Sequence, residues 1–299
     1  MKHITIIHMG AIGDLVQAMP ALRAVRAKWP AAHVMLVGRC ERTTLAQMAG
    51  LVDACMDFDV FSHAPPEARE ADLVIDLFSA AMTKQSHAAG EVCHIEPLPP
   101  AGWTHPASVW LLRQATARLD LPPVPEAPEM PVPQSLLNEA QAILSARGLC
   151  GPFAALGAGS GSAKKNWPLD RFQEIARRLR SDTGRKVAWL SGPVEQERGT
   201  LASLGPEETV LADLSLEHAA AVLALADVYV GNDSGVTQIA AAVRRPDGRP
   251  TPTVALFGPT DSRVWGTRGP HSRIAPSPDG RIGGIDVDRV WAETRALIP

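Results

Sequence analysis

Asp227–Trp265 reads DVYVGNDSGVTQIAAAVRRPDGRPTPTVALFGPTDSRVW. DVYVG is a short β-rich run, NDSG a turn that supplies helix N-caps, VTQIAAAV a helix, and TPTVALFG the next strand. Together they form one βαβ unit. Its loops, Gly231–Gly235 and Gly258–Asp261, follow the C-terminal ends of the strands, and ligands of open parallel sheets sit outside those ends. A helix N-terminus aims free N–H groups and a positive dipole end at such a crevice. The small residues Ser234 and Gly235 let an anion come close to the backbone, and phosphate is the expected guest.

The same alternation runs upstream. Residues 3–9 are a buried-type strand, and GAIGD (10–14) leads into a helix from about Leu15 to Trp29. A second strand over 33–37, a helix around Arg42–Met48, a weak strand near Ala54–Phe58 and a strand over 71–78 continue the series. From Ser79 to Pro106 the pattern blurs, with EVCHI (91–95) as a short strand, and a helix follows over Ala107–Leu119. Residues 121–133, LPPVPEAPEMPVP, carry too many prolines for a helix and read as a stiff extended linker. A second α/β series follows: a helix over Gln134–Arg147, a strand at 152–157, a helix at Leu169–Arg180, strands at 186–190 and 209–211, and a helix ending at Ala226. The expected fold is α/β, with domains at 1–133 and 134–299 and ligands held in the cleft between their strand ends. The last amphipathic helix, after Gly284, could pack back on the N-terminal domain.

Composition narrows the function classes. The chain has 299 residues, 45% hydrophobic, with 29 Lys+Arg against 32 Asp+Glu, so neither a polycation nor a nucleic-acid partner is expected. Cys40, Cys55, Cys93 and Cys150 lack CxxC or zinc spacing and read as reduced thiols of a cytoplasmic protein. The apolar run after Lys2 is broken by Asp14, and no segment approaches the roughly 18 apolar residues of a membrane span. Any membrane contact is therefore expected to be peripheral.

Four constellations could carry chemistry. Gly10–Asp14 follows the first strand but lacks the GxGxxG of a dinucleotide site. Asp14 there either caps the first helix or faces the cleft as a general base. The loop GAGSGSAKKNWP (157–168) fails the P-loop frame, because Ser162 stands five residues after Gly157 and Asn166 follows Lys165. Its small residues still leave N–H groups open, and its lysines can neutralise a diphosphate or simply be solvated. GPVEQE (192–197) looks like an ordinary helix start, and its carboxylates could also grip ribose hydroxyls. The fourth is the opening stretch.

GNDSGVTQ (231–238), then TVALFGPTD (253–261) and Trp265, with AKKNWP (163–168) upstream and GAIGD with MPAL (19–22) near the start, resemble glycosyltransferase family 9, the heptosyltransferases of lipopolysaccharide core assembly. The ordered motifs span about residues 4–270. The resemblance implies a GT-B fold, two Rossmann-like domains facing across a cleft, and inverting transfer of a heptose from ADP-heptose to a core acceptor sugar. By position it makes Asp14 the general base and Lys165 the donor-diphosphate lysine. Ser160 and Gly161 fall at the phosphate loop, Glu195, with Glu197 as the alternative, at the ribose, and the Leu214 backbone at the adenine. Asp233 falls near the donor sugar, with Ser234 and Gly235 at the phosphate end. No obligatory metal or cofactor is expected beyond the nucleotide sugar. The acceptor is expected to be a glycolipid or oligosaccharide, reached at the cytoplasmic face of the inner membrane. Family members often carry His at Gln238 and a basic residue at His8. The alternatives are transfer from another nucleotide sugar to a different surface glycan, and a nucleotide-binding protein without transferase activity.

Overall fold

The computed structural model describes residues 2–77, 88–269 and 271–298. The expectations for Phe78 and for Ser79–His87 lie outside them. The chain divides into two units, Met1–Glu129 and Met130–Pro299, with the division inside the proline-rich segment. Met130 lies in the second unit because its backbone joins it there: its N–H donates to Ala242 O at 2.8 Å and its carbonyl accepts from Arg244 N–H at 2.9 Å.

The first unit holds a five-stranded parallel sheet in the order β3-β2-β1-β4-β5. Its strands are β1 His3–His8, β2 His33–Gly38, β3 Ala54–Asp57, β4 Glu70–Asp76 and β5 Ala88–His94. The helices are α1 Ile12–Lys28, α2 Cys40–Met48, α3 Phe58–His63 and α4 Ala107–Leu119. Ile4, Ile6 and Ile7 of β1 and Val34, Leu36 and Val37 of β2 are buried. Such continuous apolar runs mark parallel strands covered on both faces. Helix α1 is buried without a break from Leu15 to Leu22, as expected of a helix enclosed on most sides. It packs on α4, where the buried Gln17 Oε1 accepts the Ser108 N–H at 3.1 Å.

The second unit holds six parallel strands in the order β11-β10-β9-β6-β7-β8. They are β6 Phe153–Gly157, β7 Lys186–Ser191, β8 Thr209–Ala212, β9 Val228–Asn232, β10 Thr253–Phe257 and β11 Ser272–Pro276. Around them lie α5 Gln134–Ala146, α6 Leu169–Thr183, the short α7 Pro193–Glu197, α8 Leu216–Leu225, α9 Gly235–Ala242, α10 Ser262–Trp265 and α11 Val287–Leu297. The core joins Leu156, Trp167, Phe172, Trp189, Val230 and Leu256 to Ile285 and Val290. Helix α11 packs within this unit against α6, β10 and β11.

Strand β11 has no counterpart in the sequence reading. Its residues SRIAP alternate too little to show, and it exists because Thr253–Phe257 offers a free edge with which it pairs residue for residue.

Both sheets reverse direction once. In the first, the chain builds outward from β1 to β3 and then returns to lay β4 on the other side of β1. In the second it builds from β6 to β8 and returns to lay β9 beside β6. Crevices at the carboxyl ends of such strand pairs are the places where open α/β sheets bind ligands.

Candidate functional site

The carboxyl edge of the second sheet is arranged by strand order, not by chain order. Moving across β9, β6, β7 and β8, the loops present Asp233 with Ser234, then Ser160–Lys165, then Glu195, then Leu214. Neighbouring strands lie about 4.8 Å apart, so the array spans roughly 14 Å.

At the reversal point, Gly157 of β6 and Gly231 of β9 face each other in register. The phenol of Tyr229 lies across both, and a Cβ on either glycine would fall 2.1 Å from its hydroxyl oxygen. The Tyr229 hydroxyl is 3.1 Å from Thr237 Oγ1, which donates to Asn232 O. Burial pushes the phenol pKa up to about 12, with the Glu195 carboxylate adding to the rise, so Tyr229 stays a neutral strut. Asn232, fully buried, accepts the Trp167 N–H at 3.0 Å and donates to Ala158 O at 2.7 Å. Both ends of the 158–167 loop are thereby tied to the end of β9.

Within that loop, Lys165 closes a short 3₁₀ turn, Ala163–Lys165. Its Nζ sits 2.7 Å from Asp233 Oδ2, the carboxylate being nearly buried and the lysine about one-third exposed. Lys164 points to solvent, so of the two adjacent lysines only Lys165 enters the crevice. The Ser160 side chain is buried; its hydroxyl lies 2.6 Å from Asn166 Oδ1 and 2.8 Å from Ser162 O, and so serves the shape of the loop. Gly161 is exposed, and a Cβ there would meet nothing within 4 Å.

The neighbouring loops are stitched to this one. Glu195 Oε2 accepts the Gly192 N–H at 2.8 Å, while its Oε1 lies against Gly159, where a Cβ would be only 2.0 Å away. Glu197, two residues on, is exposed. Gln196 Nε2 donates to Asp213 Oδ1 at 2.9 Å, which ties α7 to the turn carrying Leu214. On the other side, Ser234 caps α9 by accepting the Thr237 N–H at 3.3 Å. This leaves the positive end of that helix beside Asp233 and Lys165. Gln238 donates to Trp265 O at 2.6 Å, so it joins α9 to α10. Asn232 and Gln238 lie in the quoted GNDSGVTQ motif, but the contacts that they and Tyr229 make could not be read from it, since each depends on the folded sheet.

In the first unit, Asp14 occupies the third position of α1, which begins at Ile12, three residues before the expected start. Its Oδ2 accepts the Ala11 N–H at 2.8 Å, and it is half-buried. His8 is buried at the end of β1 beside it. Desolvation lowers the imidazole pKa to about 4 against the raising effect of the Asp14 carboxylate, with Arg42 lowering it further. Arg42 also donates to Gly10 O at 3.0 Å. Across the reversal point, buried Asp76 lies 3.3 Å from His94 Nδ1, whose Nε2 is 3.1 Å from Glu96 Oε1. Among the described residues no group of three or more His, Cys, Asp or Glu could hold a metal ion. No helix among them is long and apolar enough to cross a membrane.

Two Rossmann-like α/β units, each with a polar crevice at its strand reversal, place the protein in the GT-B class. The chain belongs to glycosyltransferase family 9 (heptosyltransferase), whose family model matches residues 100–279. It is 30% identical over 131 residues to lipopolysaccharide heptosyltransferase 1 of Salmonella typhimurium, a match covering 43% of this chain and 39% of that one. The aligned segment thus takes in about two-fifths of that relative. Among solved structures, Escherichia coli heptosyltransferase WaaC with ADP superposes with a TM-score of 0.75 at 20% identity, over 99% of both chains. The E. coli ADP-heptose lps heptosyltransferase II gives 0.78 at 20% identity, over 99% of this chain and 98% of that one.

Proposed function

We propose that this protein is an inverting glycosyltransferase that moves a heptose from ADP-heptose to a sugar of the lipopolysaccharide core. The observation that carries this reading is the order of groups along the second sheet's edge. A carboxylate with a helix start, a lysine-bearing glycine loop, a second carboxylate and an open backbone turn follow one another across four strands. A sugar, a diphosphate, a ribose and a base follow one another in the same way along a nucleotide sugar. Family membership and the ADP and ADP-heptose named for the neighbouring structures support adenine and heptose as the ends of that donor.

The chemistry follows from charge. As the bond from the anomeric carbon to the diphosphate breaks, negative charge collects on the leaving phosphate and the sugar ring becomes oxocarbenium-like. Fixed positive partners for the leaving group lower that barrier most. Lys165, the N–H groups around Gly161 and the start of α9 at Ser234–Gly235 take this part, with no divalent metal needed for the leaving-group charge. Glu195 holds the ribose hydroxyls, Asp233 the donor sugar, and the backbone at Leu214 the adenine. Asp14 of the N-terminal unit takes the proton of the acceptor hydroxyl as its oxygen bonds to the anomeric carbon, which inverts the configuration. The acceptor is a glycolipid or oligosaccharide, met by peripheral contact at the cytoplasmic face of the inner membrane.

Asp14→Asn tests the enzymatic reading against a nucleotide-binding protein. The amide oxygen can still accept the Ala11 N–H, so the melting temperature should hold. Proton removal is lost, and general-base catalysis is worth about 10² to 10⁴ in rate, so kcat should fall by that order while ADP affinity stays. An Asn variant with wild-type turnover would remove Asp14 from catalysis.

A further inference from the structure

Arg198 belongs to no motif of the sequence reading. It follows α7 directly, three residues after Glu195, and its guanidinium reaches back to the glycine loop. One terminal nitrogen donates to Ser160 O at 3.0 Å and the other to Gly161 O at 3.2 Å. Two consecutive carbonyls of one loop therefore turn toward one guanidinium.

In a planar trans peptide the C=O of one residue and the N–H of the next point in opposite directions. Fixing the carbonyls of Ser160 and Gly161 on Arg198 thus aims the N–H groups of Gly161 and Ser162 away from it. The Ser162 N–H has Ser160 Oγ at 3.3 Å, a long contact that a stronger acceptor would displace. At Gly161 the side on which a Cβ would stand is open, so a ligand can come close to this backbone. Lys165 enters the crevice from the far end of the same loop. An anion meeting the two N–H groups and the ammonium would need all three held in one arrangement before it arrives.

We propose that Arg198 is a positioning residue of the diphosphate site, a guanidinium clamp that presents the Gly161 and Ser162 N–H groups to the donor's phosphates. The inference rests on the donor reading of the second unit. It adds that the phosphate loop and the ribose carboxylate move as one body, since Glu195 and Arg198 share a single helical turn and both contact the 159–161 backbone. The fork geometry of arginine suits two carbonyls at once, whereas the single ammonium of lysine does not.

The full-length protein, with Arg198→Met and Arg198→Lys, is titrated with ADP, with inorganic pyrophosphate and with adenosine, and donor kinetics are run beside them. Arg198→Met should weaken ADP and pyrophosphate at least tenfold, raise the donor KM by a similar factor, and leave adenosine affinity and melting temperature near wild type. Arg198→Lys should recover less than half of that loss on a logarithmic scale, because it restores charge without the fork. The clamp is refuted if Arg198→Met binds pyrophosphate within twofold of wild type. It is equally refuted if Arg198→Lys restores wild-type binding, which would make charge sufficient, or if adenosine weakens in parallel, which would make the effect a general loosening. A wild-type protein that binds pyrophosphate and another nucleoside diphosphate in place of ADP would overturn the adenine assignment and leave the clamp standing. Failure of the wild type to bind pyrophosphate or any nucleoside diphosphate would overturn both.

Discussion

Lys165 and Asp233 hold each other at 2.7 Å, so a diphosphate entering there competes with a carboxylate for the ammonium. That arrangement keeps the lysine aimed, and an ammonium held there would interact more strongly with the fuller charge of a departing phosphate than with the bound donor. Lys165→Ala should therefore weaken ADP by about tenfold to a hundredfold, the worth of a hydrogen bond to a charged group at about 1.5–3 kcal/mol. It should lower kcat as well; calorimetric titration and steady-state rates would show both. Unchanged ADP affinity would place the lysine outside the site.

His8 makes a prediction of the opposite kind. Its folded pKa of about 4 lies below the 6.5 of the exposed group, because burial penalises the imidazolium. The unfolded chain therefore binds the extra proton first as pH falls. The stability that neutral His8 contributes is complete above pH 6.5 and is lost as pH drops toward 4. The shift corresponds to roughly 3 kcal/mol in full, of which about 2 kcal/mol should be gone by pH 5. Against a His8→Gln variant, in which other groups cancel, denaturant melts at pH 7 and pH 5 should show wild type losing that much more. Equal losses would mean that His8 is not buried neutral.

At the scale of elements, the second sheet owes its crevice to two glycines and one asparagine. Gly157→Ala would drive a methyl into the Tyr229 hydroxyl and should cost about 1–3 kcal/mol by overpacking. Asn232→Ala would strand the buried Trp167 N–H and the Ala158 carbonyl, at about 1–3 kcal/mol for each unpaired group, and would free the loop that carries Lys165. Urea melts of both variants, with ADP affinity beside them, should show stability falling in each and ADP binding falling most clearly in Asn232→Ala. An Asn232→Ala protein as stable as wild type would contradict the tie between β9 and the 158–167 loop.

The strands and helices around this crevice were legible because buried parallel strands are continuous apolar runs, and because Ser234, Gly10 and the prolines punctuate them. Ser234 stands at its cap as read, and the helix over Ala107–Leu119 has the expected bounds. Helix α1 began three residues early because Ile12 and Gly13, which looked like turn residues, are drawn into the helix by the Asp14 bond to Ala11 N–H. The contacts of Asn232 and Arg198 were invisible for a different reason. Each acts on backbone more than 30 residues away, and no local pattern records which carbonyl a side chain will find once the sheet has formed.

At the scale of the molecule, one topological device is used twice. Each unit reverses its strand order beside its first strand, and each reversal gathers polar side chains at the carboxyl edge: His8, Asp14 and Asp76 in one, Lys165 and Asp233 in the other. The residues matched to the family begin at 100, so the N-terminal unit, apart from its α4 segment, stands outside that match. The family match accordingly bears mainly on the second unit. The acceptor side rests on Asp14 and its surroundings.

On the proposed reading, the strand-ordered array in the second unit takes ADP-heptose and the protein transfers its sugar. A panel of nucleotide sugars carrying ADP, UDP, GDP or CMP, each incubated with the wild-type protein, EDTA and a heptose-deficient core acceptor, tests it most directly. ADP release and a heptosylated acceptor are expected from ADP-heptose alone, at a rate unchanged by EDTA. Release of nucleotide from a UDP, GDP or CMP sugar with ADP-heptose left intact would contradict it.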